Sequence, residues 1–444
     1  MSDPRPIARA LQVEYFFATI IVGGLLWALG FLYVRGYLPQ PFFYEPQDTW
    51  MDWFNTAYWS HHPGAYDTWG TIYPPLSFVV LKYLTFGGCY TFGEQYPSRD
   101  CDWYGVITLH LIYVMNVILI AKTFIKLDRR TALPRSIALA VGLPMLFAFE
   151  RGNIILLCFT CLMLAYGPLV RSARLRWVFA GLAINFKVYL IGTVFAQLLN
   201  RRWRWFEGAM LATILVYLVS FAIIGEGTPR EMFLNISTYA IAFQAASLLD
   251  LWYAVTYKPL ISLLSGEGFS ILNVVGSKQV EIWSTILPAI IWSVVALIAF
   301  AACAAAFRPR VVPTYRLVAL SIAAALVTSE AGGYTMMFLL LFVFMEPWRG
   351  FGRIWSIVSA YILCIPADFP IVWVPPVTRE SFLGGTSVVA QYAVGIGPFL
   401  RPGLLLSIAV ALSCVTLRQV WLQLRAEGWG PQPLRASPPL TDQL

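Results

Sequence analysis

The sequence predicts an all-α polytopic membrane protein, a single integral-membrane domain (1–444) forming a bundle of about twelve transmembrane or half-spanning helices. Composition is the first reason: 59% of the residues are hydrophobic and 12% are charged, whereas soluble domains carry about 25% charged residues. The second reason is the 17 Trp and 22 Tyr residues, which suit aromatic belts at membrane interfaces. The formal net charge of +8 is then expected in cytoplasmic loops and is no sign of a nucleic-acid partner.

The N-terminal part is predicted to be one span followed by a long outer loop. Residues 13–34 form the first span, which acts as a signal anchor because it is long and lacks a small-residue cleavage site. Residues 35–103 form the outer catalytic loop, and their first part, 35–72, is too polar to span and too aromatic for a bare linker, which predicts one or two amphipathic helices on the outer surface. Within this loop Tyr73-Pro74-Pro75 opens a short apolar helix. The sequence leaves open whether Cys89 and Cys101 form a disulfide.

Three apolar runs are predicted to be broken at a charged tip. The run 136–169 carries Glu150 and Arg151 at its centre, with basic clusters on both sides. Since basic loops collect on the cytoplasmic side of a membrane, such a run folds back as two short helices with its centre outside. The same reasoning applies to two later runs and their central residues: 177–200 with Lys187, and 317–347 with Glu330 and Tyr334.

The rest of the helical bundle, 104–422, is predicted from the same alternation of apolar runs and basic clusters. The remaining segments are an inward span at 104–125, an outward span at 206–224, an outer segment at 225–279, an inward span at 280–306, an outward span at 354–367, a Pro-rich outer loop at 368–399, an inward span at 400–422 and a cytoplasmic tail at 423–444. Both termini are expected in the cytoplasm. We expect the inner (plasma) membrane of a bacterium, with the functional site facing outward.

Carboxylates and cations are predicted to meet at the outer side. Asp48 and Asp52 lie four residues apart, so on a helix they share one face. A carboxylate can take the proton of an attacking hydroxyl, and Arg or Lys can hold a phosphate. This combination suits a reaction between a phosphate-bearing lipid and a hydroxyl acceptor. The candidate site residues are Asp48, Asp52, Glu150, Arg151, Asn153, Lys187, Gln244, Glu330 and Tyr334.

Structural explanations compete with each of these assignments. The two aspartates could be solvated surface residues, Glu150 and Arg151 a structural ion pair at a turn, and Glu330 part of a glycine-rich turn. Metal-binding patterns are short and incomplete, so we predict no metal and no cofactor. These patterns are His61-His62, Cys158-x-x-Cys161 on an apolar helix, and Asp100-Cys101-Asp102.

The order of the short motifs resembles the polyprenol-phosphate-mannose-dependent mannosyltransferases, glycosyltransferase family 87 of the GT-C membrane superfamily. An outer-loop Asp, Tyr73-Pro74-Pro75, Gly152-Asn153 and Ala180-Gly181-Leu182-Ala183 before Lys187 occur in that order. The best match is 151–204, and the wider order covers 13–345. The chain departs from the family pattern in lacking Gln after Gly152, Pro soon after Lys187 and a His near the third tip.

The resemblance implies a GT-C-like fold and a metal-independent, inverting transfer on the outer side. A hexose, mannose in that family, would move from polyprenyl phosphate to a glycan or glycolipid acceptor. The family's catalytic Asp falls on Asp52 or Asp48, with a slight preference for Asp52, while Lys187 and Arg151 would hold the donor phosphate.

Two further expectations concern the sugar and the competing function. The sugar platform is expected among Trp53, Trp59, Tyr66 and Trp69. The alternative is a transporter or flippase for a lipid-linked sugar, which requires charges along a path through the membrane; here they cluster at one side.

Overall fold

The computed structural model describes residues 5–42, 45–91, 93–242, 255–257, 276–328 and 332–428. Helices dominate this part of the chain. The α-helices are α1 Arg5–Arg35, α2 Met51–His61, α3 Pro75–Leu84, α4 Gln95–Cys101, α5 Trp103–Leu127, α6 Ala132–Ala140, α7 Leu143–Arg151, α8 Ile155–Tyr166, α9 Ala173–Phe186, α10 Ile191–Leu199, α11 Trp203–Ile224, α12 Pro229–Ala242, α13 Ser277–Phe307, α14 Thr314–Thr328, α15 Met336–Val343, α16 Phe351–Leu363 and α17 Gly397–Glu427.

Six helical segments of the described chain are long and apolar enough to cross a membrane, by length and composition. They are Ala10–Arg35, Trp103–Leu127, Ala132–Arg151, Trp203–Ile224, Ser277–Phe307 and Gly397–Glu427. Six further apolar helices of 10–17 residues are shorter than a full span. The described chain is therefore mostly helical and has apolar helices of membrane-spanning length, as we predicted for an all-α membrane protein.

The buried core and the outward-facing surface of the bundle are carried by different helices. All eight residues of α15 are buried, and α8 is nearly as enclosed, as expected for helices that are apolar on every side. In contrast, α5 and α11 present large apolar side chains such as Leu111 and Ile214 to the outside. A contiguous apolar exterior of this kind fits a lipid bilayer and would aggregate in water.

The helices break at each of the three predicted tips. Arg151 ends α7, and Gly152 adopts the left-handed conformation (φ 62°) that commonly terminates a helix. Lys187 separates α9 from a short 3-10 turn, and another 3-10 turn at Gly333–Thr335 precedes α15. The two arms around Lys187 have different main neighbours, because α9 packs on α8 and α11 whereas α10 packs mainly on α14.

The first part of the outer loop contains a 3-10 turn at Pro46–Asp48 followed by α2, and α3 and α4 lie further along it. We expected amphipathic helices lying on the surface, but α2 is largely enclosed, with Trp53 and Phe54 fully buried. Its aromatic residues pack into the main core, so the helix belongs to the bundle. The loop is stabilised further along by the Cys89–Cys101 disulfide, which the sequence left open.

The loop predicted at 368–399 contains four short strands, which we did not predict from the sequence. β1 Pro370–Trp373 pairs with β4 Ala393–Gly395, and β2 Val377–Glu380 pairs with β3 Ser387–Ala390, both antiparallel. Distant partners anchor them. The Gln40 side chain exchanges hydrogen bonds with the backbone of Ala393, and a buried Arg401–Asp368 pair (2.7 Å) closes the base.

Several buried charged residues lie around the start of the α6–α7 pair. They are separate from Arg151, which lies at the end of that pair. Glu14 is fully buried and accepts hydrogen bonds from Arg135 (2.7 Å), the Trp348 indole and the Tyr361 hydroxyl (2.9 Å). Nearby, Glu346 pairs with Arg316 (2.5 Å). Because each carboxylate has a close cation, these groups are explained as structural pairs.

Candidate functional site

Two aspartates stand at the entrance of α2. Asp48 ends the 3-10 turn, and Asp52 lies in the first turn of α2. Between them Trp50 adopts a left-handed conformation (φ 62°), and its N–H donates to the carbonyl oxygen of Glu150 at 2.8 Å. Arg99 donates to the Gln47 carbonyl oxygen at 2.7 Å from the opposite side. The backbone that carries both carboxylates is therefore fixed by two distant segments.

Arg151 joins the two carboxylates. One terminal nitrogen lies 3.1 Å from an Asp48 oxygen, and the other lies 3.0 Å from an Asp52 oxygen. The guanidinium is 15% exposed, and the Asp48 and Asp52 side chains are 32% and 21% exposed. Two carboxylates share one cation, so this group of three keeps a net negative charge and an open side towards solvent. Arg151, which we predicted to contact a phosphate, thus pairs with both aspartates.

Asn153 connects this carboxylate pair to the other tips. Its amide nitrogen donates to the second oxygen of Asp52 at 2.8 Å, and it lies 3.3 Å from the Tyr73 hydroxyl and 3.1 Å from the Tyr334 hydroxyl. Its side-chain oxygen accepts the Ile155 N–H at 3.0 Å, at the start of α8. The buried Asn153 amide of the first tip thus contacts both Asp52 of the first loop and Tyr334 of the third tip.

Lys187 completes the cluster from the second tip. Its ammonium lies 4.4 Å from the centre of the Tyr73 ring, a cation–π contact. Among the described residues no carboxylate lies within ion-pair distance of this ammonium, although Asp52 is close enough to interact with it electrostatically. An unpaired, partly buried cation is unfavourable unless it has a ligand.

Two tyrosine hydroxyls near Lys187 also have no acceptor for their protons in the described part of the chain. The Tyr189 hydroxyl is buried and has no hydrogen-bond partner in the described part of the chain. The Tyr73 hydroxyl accepts from Asn153, but no described residue accepts its proton. Burial, followed by the Asp52 charge, raises the pKa of Tyr73, so that hydroxyl stays protonated. An ammonium and two hydroxyls that no described acceptor engages form a donor set that suits an oxyanion such as a phosphate.

The predicted site residues thus fall into three groups. The structure brings together Asp48, Asp52, Arg151, Asn153, Tyr334 and Lys187. Glu150 has a buried side chain and contributes its backbone carbonyl oxygen to Trp50. Gln244 and Glu330 lie outside the described residues.

Sequence reasoning gave no role to Tyr73 or Tyr189. Tyr73 precedes the two prolines that open α3, and Tyr189 follows Lys187 by two residues within the helix break. That position next to a break was an available signal for Tyr189.

Of the four aromatic residues expected to form the sugar platform, two are buried and two lie at the surface. Trp53 is fully buried and Tyr66 is 4% exposed, with its hydroxyl donating to the Tyr73 carbonyl oxygen at 2.7 Å. Both rings are core residues because they pack inward from α2 and the loop that follows. Trp59 and Trp69 remain at the surface and stack on each other, with ring centres 6.2 Å apart.

The residues considered for metal binding are engaged in other contacts. His61 lies 3.1 Å from the Thr85 hydroxyl and stacks on Tyr90, while His62 stacks on Tyr58. Burial, and then the nearby Lys82 charge, lowers the pKa of His61. Within the described ranges, no group of three His, Cys, Asp or Glu side chains has the arrangement of a metal site.

Asp102, the last residue of the short acidic pattern, is buried inside a structural network. Its carboxylate accepts from the Gly105 N–H at 2.8 Å and from the Tyr90 hydroxyl at 2.8 Å. The residue therefore caps the start of α5 and fixes the disulfide loop, which accounts for its burial.

Comparison with known proteins identifies no relative: no family model, no curated protein and no solved structure matches this chain.

Proposed function

We propose that this chain is a membrane glycosyltransferase with a GT-C-like bundle of about twelve transmembrane or half-spanning helices. It transfers a hexose from a polyprenyl-phosphate donor to a hydroxyl of a glycan or glycolipid acceptor at the outer side of the membrane. One observation carries the proposal: Asp52, held by Arg151 and Asn153, shares a centre with the Lys187 ammonium, which no described carboxylate pairs with. A base and an anion site side by side are what this transfer needs.

In the proposed reaction, the Lys187 side of the centre binds the phosphate and the Asp52 side activates the acceptor. The phosphate of the lipid-linked sugar accepts hydrogen bonds from the Lys187 ammonium and from the Tyr73 and Tyr189 hydroxyls. These groups hold its negative charge in place. Asp52 takes the proton of the acceptor hydroxyl, whose oxygen forms a bond to the anomeric carbon. The bond from that carbon to the phosphate oxygen breaks, and polyprenyl phosphate leaves with the electron pair. Attack opposite the leaving group inverts the anomeric centre.

Asp52 is assigned as the base in preference to Asp48. Asp52 interacts electrostatically with Lys187 and Tyr73, whereas Asp48 contacts only Arg151 among the described residues of the cluster. The base must lie beside the anomeric carbon, and this carbon is bonded to the phosphate. The carboxylate nearest the phosphate donors is therefore the better placed of the two.

Turnover by purified protein tests the proposal. The full chain is mixed with a polyprenyl-phosphate hexose and a glycan acceptor, and the new glycoside is measured together with its anomeric configuration. Asp52→Asn should lower kcat by about 10²–10⁴-fold, the usual contribution of a general base, and Asp48→Asn should have a smaller effect. Equal transfer by all three proteins would refute the mechanism. Movement of the lipid without a new glycoside would instead support a flippase.

Lys187→Met separates donor binding from folding. Loss of a charged hydrogen-bond donor should weaken donor binding by about 1.5–3 kcal/mol. Because no described residue forms an ion pair with the ammonium, its removal should leave the melting temperature unchanged or raise it. Lys82→Met, at an exposed position on α3, is the matched control and should alter neither quantity. A lower melting temperature with unchanged donor affinity would assign Lys187 a structural role.

A further inference from the structure

A polar stripe runs along α2, away from the catalytic centre. Between residues 51 and 60, only Asp52, Asn55 and Trp59 are not buried. Their spacing of three and four residues puts them on one face of the helix. Seven residues at 1.5 Å each separate Asp52 from Trp59 by about 10 Å. The one open face of α2 therefore begins at the proposed base and ends at the stacked indoles.

Two polar atoms of this stripe have no partner. In the described part of the chain, neither the Asn55 side-chain oxygen nor the Trp59 indole nitrogen has a hydrogen bond, although both atoms are shielded. Leaving such an atom unsatisfied costs about 1–3 kcal/mol. One atom is an acceptor and the other a donor, and a hydroxyl can satisfy both once rotation of the two side chains uncovers them. The stripe is therefore complementary to a ligand rich in hydroxyl groups.

The far end of the stripe is an aromatic surface held in position from below. Trp59 stacks on Trp69 at an interplanar angle of 24°, and Tyr58 meets Trp69 edge-on at 5.9 Å. Trp69 is 38% exposed. An indole face is electron-rich, so it attracts the partially positive C–H face of a sugar ring.

The loop that carries Trp69 is preorganised through its backbone. Glu226, directly after α11, accepts the N–H groups of Gly64 (3.1 Å) and Ala65 (3.0 Å). Asn235 of α12 donates to the carbonyl oxygens of Tyr66 (2.8 Å) and Thr71 (3.0 Å). A rigid aromatic surface loses little entropy when a ligand binds, which favours affinity.

Charge favours a neutral ligand at this surface. Residues 36–81 contain neither Lys nor Arg, whereas Asp52 and Asp67 flank the stripe at its two ends. The Arg151 guanidinium at one end of the stripe is already shared by Asp48 and Asp52, so an anionic group on the stripe would meet excess negative charge. The donor phosphate therefore belongs to the Lys187 side, and the stripe is left to the acceptor.

We propose that Asn55, Trp59 and Trp69 form an acceptor-binding subsite for the second sugar ring of a neutral oligosaccharide or glycolipid. This inference rests on the proposed function, since it takes Asp52 as the base. The reacting ring lies at Asp52, and the next ring stacks on the indole pair with its hydroxyls bonded to Asn55 and Trp59. A single ring is too short to reach both ends, so the enzyme extends acceptors of two or more sugars.

Direct binding tests the subsite without any transfer. A methyl mannobioside and methyl mannoside are titrated into the full-length wild-type protein in nanodiscs, with saturation-transfer NMR as the readout. The disaccharide should bind at least roughly tenfold more tightly than the monosaccharide, and Trp69→Ala should remove that difference. Trp373→Ala, at another exposed tryptophan on β1, is the matched control and should preserve it. No disaccharide binding, or equal binding by Trp69→Ala, would overturn the subsite.

Kinetics distinguish failure of the subsite from failure of the proposed function. With transfer active, Asn55→Leu and Trp69→Ala should raise the acceptor KM at least roughly tenfold and leave the donor KM unchanged. Active transfer with an unchanged acceptor KM would reject the subsite and keep the glycosyltransferase. Disaccharide binding that depends on Trp69, without any transfer, would keep the carbohydrate site and reject the enzymatic proposal.

Discussion

Gly152 offers the sharpest test of how the first tip positions the loop that carries Asp52, the proposed base. Its φ of +62° is a conformation that residues with a side chain rarely adopt, and an added Cβ would lie 2.8 Å from the Trp50 Cα and 2.9 Å from the Trp50 oxygen. Gly152→Ala therefore combines backbone strain of about 1–2 kcal/mol with overpacking of about 1–3 kcal/mol. We expect a loss of roughly 2–5 kcal/mol in stability.

The same substitution should also reduce transfer, because Trp50 precedes Asp52 by two residues. Relief of the clash requires a shift of several tenths of an ångström, and a misplacement of about 1 Å can lower a rate by about 10²-fold. Thermal unfolding in detergent and the transfer assay measure the two effects. Gly384→Ala is the control, since φ is +84° and an added Cβ meets nothing within 4 Å. Gly384→Ala should lose only the strain part of the stability; if Gly152→Ala lost no more than this control and kept the wild-type transfer rate, the tight Trp50–Gly152 contact would have no role in positioning Asp52.

Three further predictions concern other parts of the molecule. Cys89→Ser removes the Cys89–Cys101 disulfide and should lower the stability by about 2–4 kcal/mol; a reductant should lower the melting temperature of the wild type similarly. Arg135→Leu leaves Glu14 buried without its cation and should cost about 3–5 kcal/mol, with partial recovery by added Glu14→Gln; additive losses in thermal unfolding would contradict the pair. Tyr189→Phe should weaken donor binding by about 0.5–1.5 kcal/mol without lowering the melting temperature; unchanged donor affinity would remove Tyr189 from the anion site.

The helix breaks were predictable because their cause is local and compositional. Glu150 and Arg151 interrupt an apolar run between basic clusters, and Gly152 supplies the left-handed residue that ends α7. The same pattern located the break at Lys187. Charge distribution across a membrane constrains which segments lie together, and this brought the first loop and the tips into one expected site.

Features that depend on distant contacts were not predictable in this way. The strands of 368–399 rest on partners such as Gln40, more than 350 positions away in the chain. The burial of Trp53 and Tyr66 follows from how α2 packs, and a single sequence does not reveal that packing. The pairing of Arg151 with two aspartates likewise requires knowing that the entrance of α2 lies against the end of α7.

The clamp made by Glu226 and Asn235 has a consequence for how this protein can change. All of its hydrogen bonds in the loop go to backbone atoms, so this clamp does not depend on which side chains stand at 67–69. If the loop binds the acceptor as proposed, substitution at a few exposed positions can change which acceptor is recognised while the backbone framework stays intact. For protein engineering, this loop is the natural place for a small combinatorial library.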